Sequence, residues 1–311
     1  MHKNKFILWF KDIKKKDIVS VGGKAANLGE LYSKFPIPNG FCITVKFFDD
    51  FLRSTNIKNK ILELLKKLDV KKPENVDNVS NKIKNLITKQ VIPNRLKILI
   101  LENYRGLGRF VAVRSSAVAE DLKQASFAGQ QASFLNVKGK DLIKYIKECW
   151  ASFYNPRAII YREKNSFSHT PSMAVVIQKM INAKKSGVIF TVNVVNKNKN
   201  EMIIESIFGL GEAIVSGIVT PDHYVINKKT HYVLKEIINE KKLAIVKENG
   251  RNKKIRLDKN KANTKSLNKK ELKILIKEAL LIEKYYKKPM DIEWAIDDKV
   301  YILQARPITT L

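Results

Sequence analysis

Residues 289–309, PMDIEWAIDDKVYILQARPIT, decide how the chain is read. Two short alternating runs, Asp291 to Ala295 and Val300 to Gln304, flank the turn-forming pair Asp297-Asp298, so the stretch predicts a β-hairpin. A two- or four-residue turn sets Asp291 opposite Gln304 and Glu293 opposite Ile302. Because side chains alternate and opposed residues share a face, Asp291, Glu293, Gln304 and Arg306 are expected on one side. A three-residue turn would instead put Gln304 on the opposite face from Glu293. Two carboxylates about 6 Å apart at an effective dielectric of about 20 repel by roughly 3 kcal/mol. A hard cation relieves that repulsion, and magnesium with a polyphosphate is the usual combination. The alternative is a solvated acidic face with Arg306 in a surface ion pair.

Composition narrows the function classes. The 311 residues carry 59 Lys and Arg against 30 Asp and Glu, a formal charge of +29. The lysines are spread among Asn and Ile over nearly every segment, with no dense basic tract and no nucleic-acid motif. Dedicated nucleic-acid binding is therefore not expected; the excess reads as solvated surface with a general attraction for anions. A hydrophobic share of 44% is that of a globular protein with two domains or one large one. Cys42 and Cys149 lie far apart, which suits a reducing, cytoplasmic setting rather than a disulfide frame. The apolar run Phe6 to Phe10 is too short for a signal peptide, and no run approaches the length of a membrane span. His2, His169, His223 and His231 form no ligand-spaced cluster, so a zinc site is not expected.

Three further stretches carry chemistry. In SVGGKAANLGELY, residues 20–32, Gly22 and Gly23 permit a tight turn, Lys24 follows, and Ala25 to Tyr32 reads as a helix. A glycine turn entering a helix N-terminus beside a lysine can bind phosphate; it can equally be a turn capping a packed helix. It is not a Walker loop, because Ile18 and Ala25 stand where that pattern needs Gly and Ser or Thr. In residues 110–137 a buried strand, Phe110 to Val113, is expected to deliver Arg114 at its end, suited to a phosphate or to pairing with Glu120 or Asp121. Gly129 would let a backbone approach a ligand before a strand over Ala132 to Val137. Met173 to Met180 reads as a buried strand in which Gln178 needs a hydrogen-bond partner, an adenine edge or a neighbouring backbone.

The remaining segments read as scaffold. Val45 to Tyr104 is helical with breaks near Pro73 and Pro93, and Lys140 to Arg162 is two helices broken near Asn155-Pro156. Ser186 to Val192 is a strand, and residues 202–226 run from a strand through Gly209 and Gly211 into a helix and a further strand after Pro221. Residues 231–247 look like a hairpin, 248–266 a polar excursion, and Lys269 to Lys288 a long helix.

Taken together, GGKAANLGEL, VAVRSSAVAEDLKQASFAGQQASFLNV, FGLGEAIVSGIVTPD and DIEWAIDDKVYILQARPIT resemble the N-terminal nucleotide-binding part of the phosphoenolpyruvate synthase (pyruvate, water dikinase) and pyruvate phosphate dikinase family. The resemblance implies an α+β ATP-grasp fold, two lobes with the nucleotide in the cleft between them. The lobes would be residues 1–177, with a helical insertion around 45–104, and residues 178–311, ending in a metal-binding hairpin. It implies ATP and Mg2+ as cofactors. Lys24 and Arg114 would contact phosphates, Gly129 and Ser133 would line the phosphate loop, and Gln178 would lie near the adenine hinge. Glu293 and Gln304 would hold magnesium with Asp291 nearby, and Arg306 would reach the transferred phosphates. Ser133 stands where Thr is frequent in the family, and the hydroxyl is kept.

Family enzymes continue into a swivelling domain with a phosphorylated histidine and a barrel that binds pyruvate. The chain to Leu311 contains neither, so the expectation is the ATP half-reaction, with phosphohistidine and pyruvate domains on a separate chain or missing. Two alternatives stand beside it: the ATP part of a rifamycin-type antibiotic phosphotransferase, and a non-catalytic ATP-binding subunit.

Overall fold

The computed structural model describes residues 5–118, 132–169, 172–248 and 250–309. The chain divides into two compact units, Met1–Glu30 with Asn39–Met180, and Leu31–Pro38 with Ile181–Leu311.

The first unit runs β1 (Ile7–Trp9), α1 (Ile18–Leu31), β2 (Gly40–Ile43), then helices α2 (Val45–Ser54), α3 (Lys58–Lys66), α4 (Pro73–Lys89) and α5 (Asn94–Arg105). It continues with β3 (Val111–Ala117), β4 (Ser133–Val137), α6 (Gly139–Ser152), α7 (Pro156–Lys164) and β5 (Met173–Lys179). The helix starts follow local chemistry. Thr44 accepts the Phe47 amide proton to cap α2, and Pro73 and Pro156 sit in the first turns of α4 and α7, where a missing N–H costs nothing. Phe47, Phe48 and Phe51 of α2 close on Trp150 of α6 at ring centroid distances of 5.9, 5.0 and 4.9 Å, all fully buried. That aromatic cluster anchors the helices to one another, since such rings bury large areas and gain from stacking.

The five strands form an antiparallel sheet in the order β1-β2-β5-β3-β4. One expectation changes here. Arg114 does not end its strand: β3 pairs with β5 from Val111 opposite Lys179 to Ala117 opposite Met173, so ladder hydrogen bonds carry the strand three residues past it.

The second unit contains β6 (Lys185–Phe190), β7 (Glu201–Phe208), α8 (Glu212–Val215), β8 (Asp222–Asn227), β9 (Val233–Ile237), β10 (Leu243–Glu248) and β11 (Arg251–Arg256). It closes with α9 (Lys259–Ala262), α10 (Lys269–Tyr286), β12 (Met290–Ile296) and β13 (Val300–Pro307). Six of the strands form an antiparallel sheet in the order β13-β12-β6-β7-β8-β9. The hairpin expected over 231–247 is not formed: β9 pairs back onto β8, and β10 pairs forward with β11. β9 takes the edge that β8 leaves open, and the polar stretch after residue 248 supplies a partner strand for β10.

Helix α10 begins in a reciprocal cap, in which Asn268 Oδ1 accepts the Glu271 amide proton and Glu271 Oε2 accepts that of Asn268. Its buried stripe is Leu275, Ile276, Ala279, Ile282 and Tyr286. In the sheet, Gly187 is paired with Trp294, and a Cβ on Gly187 would come within 2.5 Å of the indole and 1.9 Å of the Glu205 carbonyl oxygen. Only glycine leaves room for that fully buried indole.

A buried ionic knot ties β8 to the segment before β10. Asp222 and Lys241 are both fully buried and paired, Nζ to Oδ1, at 2.5 Å. Asp222 Oδ1 also accepts the Asn239 amide proton, and Oδ2 accepts from the backbone and hydroxyl of Ser266. Lys241 donates as well to the Asn239 carbonyl. A desolvated pair holds when further hydrogen bonds offset its lost hydration, and three to Asp222 and one from Lys241 do so here. Among the described residues no helix is long and apolar enough to cross a membrane.

Candidate nucleotide site

In the first unit the glycine turn is clipped to β3. Gly22 adopts φ 73 and ψ 168, which breaks α1 into two, and a Cβ there would meet the Ser116 carbonyl oxygen at 2.2 Å. This backbone is open to glycine and strained for other residues. Past the break, Ser116 Oγ accepts the Ala25 amide proton and donates to the Val21 carbonyl, so a strand serine caps the helix restart. Lys24 is 4% exposed, and its Nζ donates to the Ser115 carbonyl at 2.9 Å. That carbonyl belongs to the residue after Arg114 in β3, and Arg114 is itself buried. A lysine and an arginine are the side chains suited to phosphate oxygens.

Ser133 starts β4 directly opposite Arg114 and is exposed. Gly129, Glu120 and Asp121 lie outside the described residues. Gln178 is 2% exposed, set between Gly40 of β2 and Ala112 of β3, and its Nε2 has no hydrogen-bond partner among the described residues. An unmade bond of this kind costs about 1–3 kcal/mol, which a ligand acceptor would recover. Gln178→Leu is therefore expected to leave stability unchanged or raise it by up to about 2 kcal/mol while weakening ATP binding about ten-fold. Melting curves and an ATP titration check this; a destabilised variant with unaltered affinity would assign Gln178 to the core instead.

In the second unit the terminal hairpin corrects the expected register. Its turn is the three residues 297–299, with Ile296 opposite Val300, and the register shifts between Glu293 and Trp294. Trp294 pairs with Ile302 but Glu293 pairs with Gln304, leaving Leu303 as the extra residue of a bulge. Asp291 consequently faces Arg306, not Gln304, and Glu293 faces Gln304, not Ile302. The odd turn alone would have split Glu293 from Gln304; the bulge restores them to one face. On that face Arg306 Nε donates to Asp291 Oδ2 at 2.9 Å. The opposite face, Met290, Ile292 and Trp294, is fully buried.

Burial pushes the Asp291 carboxyl above its ordinary value, the charge and hydrogen bond of Arg306 oppose the rise, and Glu293 adds to it. Two carboxylates and the Gln304 amide oxygen make an all-oxygen donor set, which fits a hard divalent cation such as magnesium better than zinc. Among the described residues no group of three or more His, Cys, Asp or Glu gathers as a metal cage. The Ser115 carbonyl and the Ser116 cap had no signal in the sequence beyond the RSS triplet, because their roles depend on which helix packs against β3.

The profile described as "Pyruvate phosphate dikinase, AMP/ATP-binding domain" matches residues 18–311, and the chain belongs to that family. Among curated relatives, a probable phosphoenolpyruvate synthase of Archaeoglobus fulgidus is 47% identical over 98% of this chain and 42% of its own length. One of Methanocaldococcus jannaschii is 44% identical over 99% of this chain and 27% of its own. The phosphoenolpyruvate synthase of Pyrococcus furiosus is 36% identical over 99% and 44%. The chain thus spans less than half the length of these relatives. Among solved structures, a D-alanine-D-alanine ligase of Helicobacter pylori aligns with 70% of this chain at 13% identity and a TM-score of 0.31, too low to carry weight.

Proposed function

We propose that the chain is the ATP-grasp part of a phosphoenolpyruvate synthase, binding Mg-ATP and presenting its phosphates for transfer to a histidine on another domain. Its two units would be the lobes that hold the nucleotide. The observation that carries this reading is the bulged hairpin, which brings Glu293, Gln304, Asp291 and Arg306 to one face despite an odd turn. The family relationship supports it.

Lys24, Arg114 and Arg306 would neutralise charge developing on the phosphates, with Ser133 and Gly129 on the phosphate loop and Gln178 on adenine. Glu293 and Gln304, with Asp291, would hold magnesium, which supplies electrostatic stabilisation of the phosphate oxygens. The chain's own contribution is then alignment and charge rather than a protein base. In the complete reaction the histidine would attack the β-phosphorus and release AMP, water would then cleave off the γ-phosphate as free phosphate, and the remaining phosphohistidine would phosphorylate pyruvate. The test is to mix this chain with a histidine-bearing domain from a relative, add Mg-ATP, and follow AMP. AMP formed only when both proteins are present is the expected result; nucleotide bound but never cleaved with any such domain would contradict it.

A further inference from the structure

The sheet of the second unit carries the Glu293 row beyond the hairpin. Gln304 is opposite Glu293, Glu293 opposite Val188, Val188 opposite Glu205, and Glu205 opposite His223. Directly opposed residues share a face, so Glu205 and His223 lie on the same face as Glu293 and Gln304. Both are accessible, with side chains 27% and 24% exposed, and Glu205 Oε1 lies 3.5 Å from His223 Nδ1.

Their neighbours make the pair stand out. The next row on this face has Ile203 and Val225 at the same strands, both buried, and Val188, between Glu205 and Glu293, is an apolar residue of intermediate exposure. A carboxylate among apolar neighbours requires hydrogen-bond donors, and one contact at 3.5 Å is a weak one. Two strand spacings put Glu205 about 10 Å from Glu293, too far to share one cation with it. That separation is of the order between the metal-bound phosphates of a nucleoside triphosphate and its ribose.

We infer that Glu205, oriented by His223, accepts hydrogen bonds from the ribose hydroxyls of the nucleotide. A carboxylate and a vicinal diol match in number and spacing, and an acid at this place selects a ribonucleotide over its deoxy analogues. The inference rests on the ATP-binding reading above and names the part of the ligand that this side of the same sheet face reads.

The test uses the full 311-residue chain, with Mg-ATP, Mg-2′-deoxy-ATP and Mg-3′-deoxy-ATP titrated calorimetrically. Wild type is expected to bind ATP about ten-fold more tightly than at least one deoxy analogue, the size of a hydrogen bond to a charged group. Glu205→Ala is expected to weaken ATP about ten-fold, leave that analogue unaltered and so erase the preference. His223→Gln, which keeps a polar side chain but removes the imidazole contact to Glu205, is expected to shrink the preference without abolishing it. Wild type indifferent to the ribose, or Glu205→Ala weakening all three ligands equally, overturns the inference while leaving ATP binding intact. Wild type binding none of the three would instead overturn the nucleotide reading itself. A Glu205→Ala protein that failed to fold would leave His223→Gln and the wild-type preference to decide.

Discussion

Glu293→Ala is expected to lower phosphoryl transfer from Mg-ATP to a histidine-bearing partner domain by roughly 10³-fold or more, with the fold retained. The expectation follows from position. Glu293 faces Gln304 on the accessible side of β12, while the buried packing of that strand is made by Met290, Ile292 and Trp294 on the other side. Removing the carboxylate therefore takes away an oxygen proposed to bind the metal without opening the core, and stability should change by less than about 1 kcal/mol. Arg114→Ala is expected to abolish transfer as well, through lost phosphate neutralisation. Arg114 is buried in mid-strand, however, so its variant must be shown by circular dichroism and melting to remain folded before its activity is interpreted. AMP formation at wild-type rate by folded Glu293→Ala would remove the hairpin from the site.

Lys241→Ala carries the largest expected cost in stability. It strands the Asp222 carboxylate in an interior with no solvent access, and breaking a buried pair from one side costs roughly 3–5 kcal/mol. The two partners are not equivalent. Asp222 keeps its bonds from Asn239 and Ser266 when the lysine is lost, whereas Lys241 without Asp222 keeps the Asn239 carbonyl. Neutralising both sides at once, Asp222→Asn with Lys241→Met, should recover much of the loss, because no buried charge is then left alone. Amide exchange in β8 and β10 reads the effect locally, without assuming that both units unfold together. Exchange in Lys241→Ala at the wild-type rate would mean that the pair contributes nothing to holding these strands.

The two predictions draw on different kinds of information, and so does the legibility of the fold. Periodicity placed the strands and helices, because alternating or helically spaced apolar residues must face a core wherever that core lies. Ile203 and Ile204, or Leu275 and Ile276, are buried for reasons present in their own segments. Pairing was less legible. Residues 231–247 alternate well enough to make a hairpin of themselves, yet β9 goes to β8 and β10 to β11, since a strand's partner is chosen by whichever edge is free.

By itself the amino-acid sequence determined the order and type of most elements, the family resemblance, and the residue types able to hold phosphate and a hard cation. Only the tertiary structure decided which of those residues meet. The bulge at Leu303 sets Glu293 against Gln304, the packing of α1 on β3 gives Lys24 the Ser115 carbonyl, and the six-strand register aligns Glu205 and His223 with the face of Glu293 and Gln304. The reason is the two-residue repeat of a strand: one extra residue reverses every side chain beyond it, and nothing within the segment records whether a neighbouring strand will accommodate it.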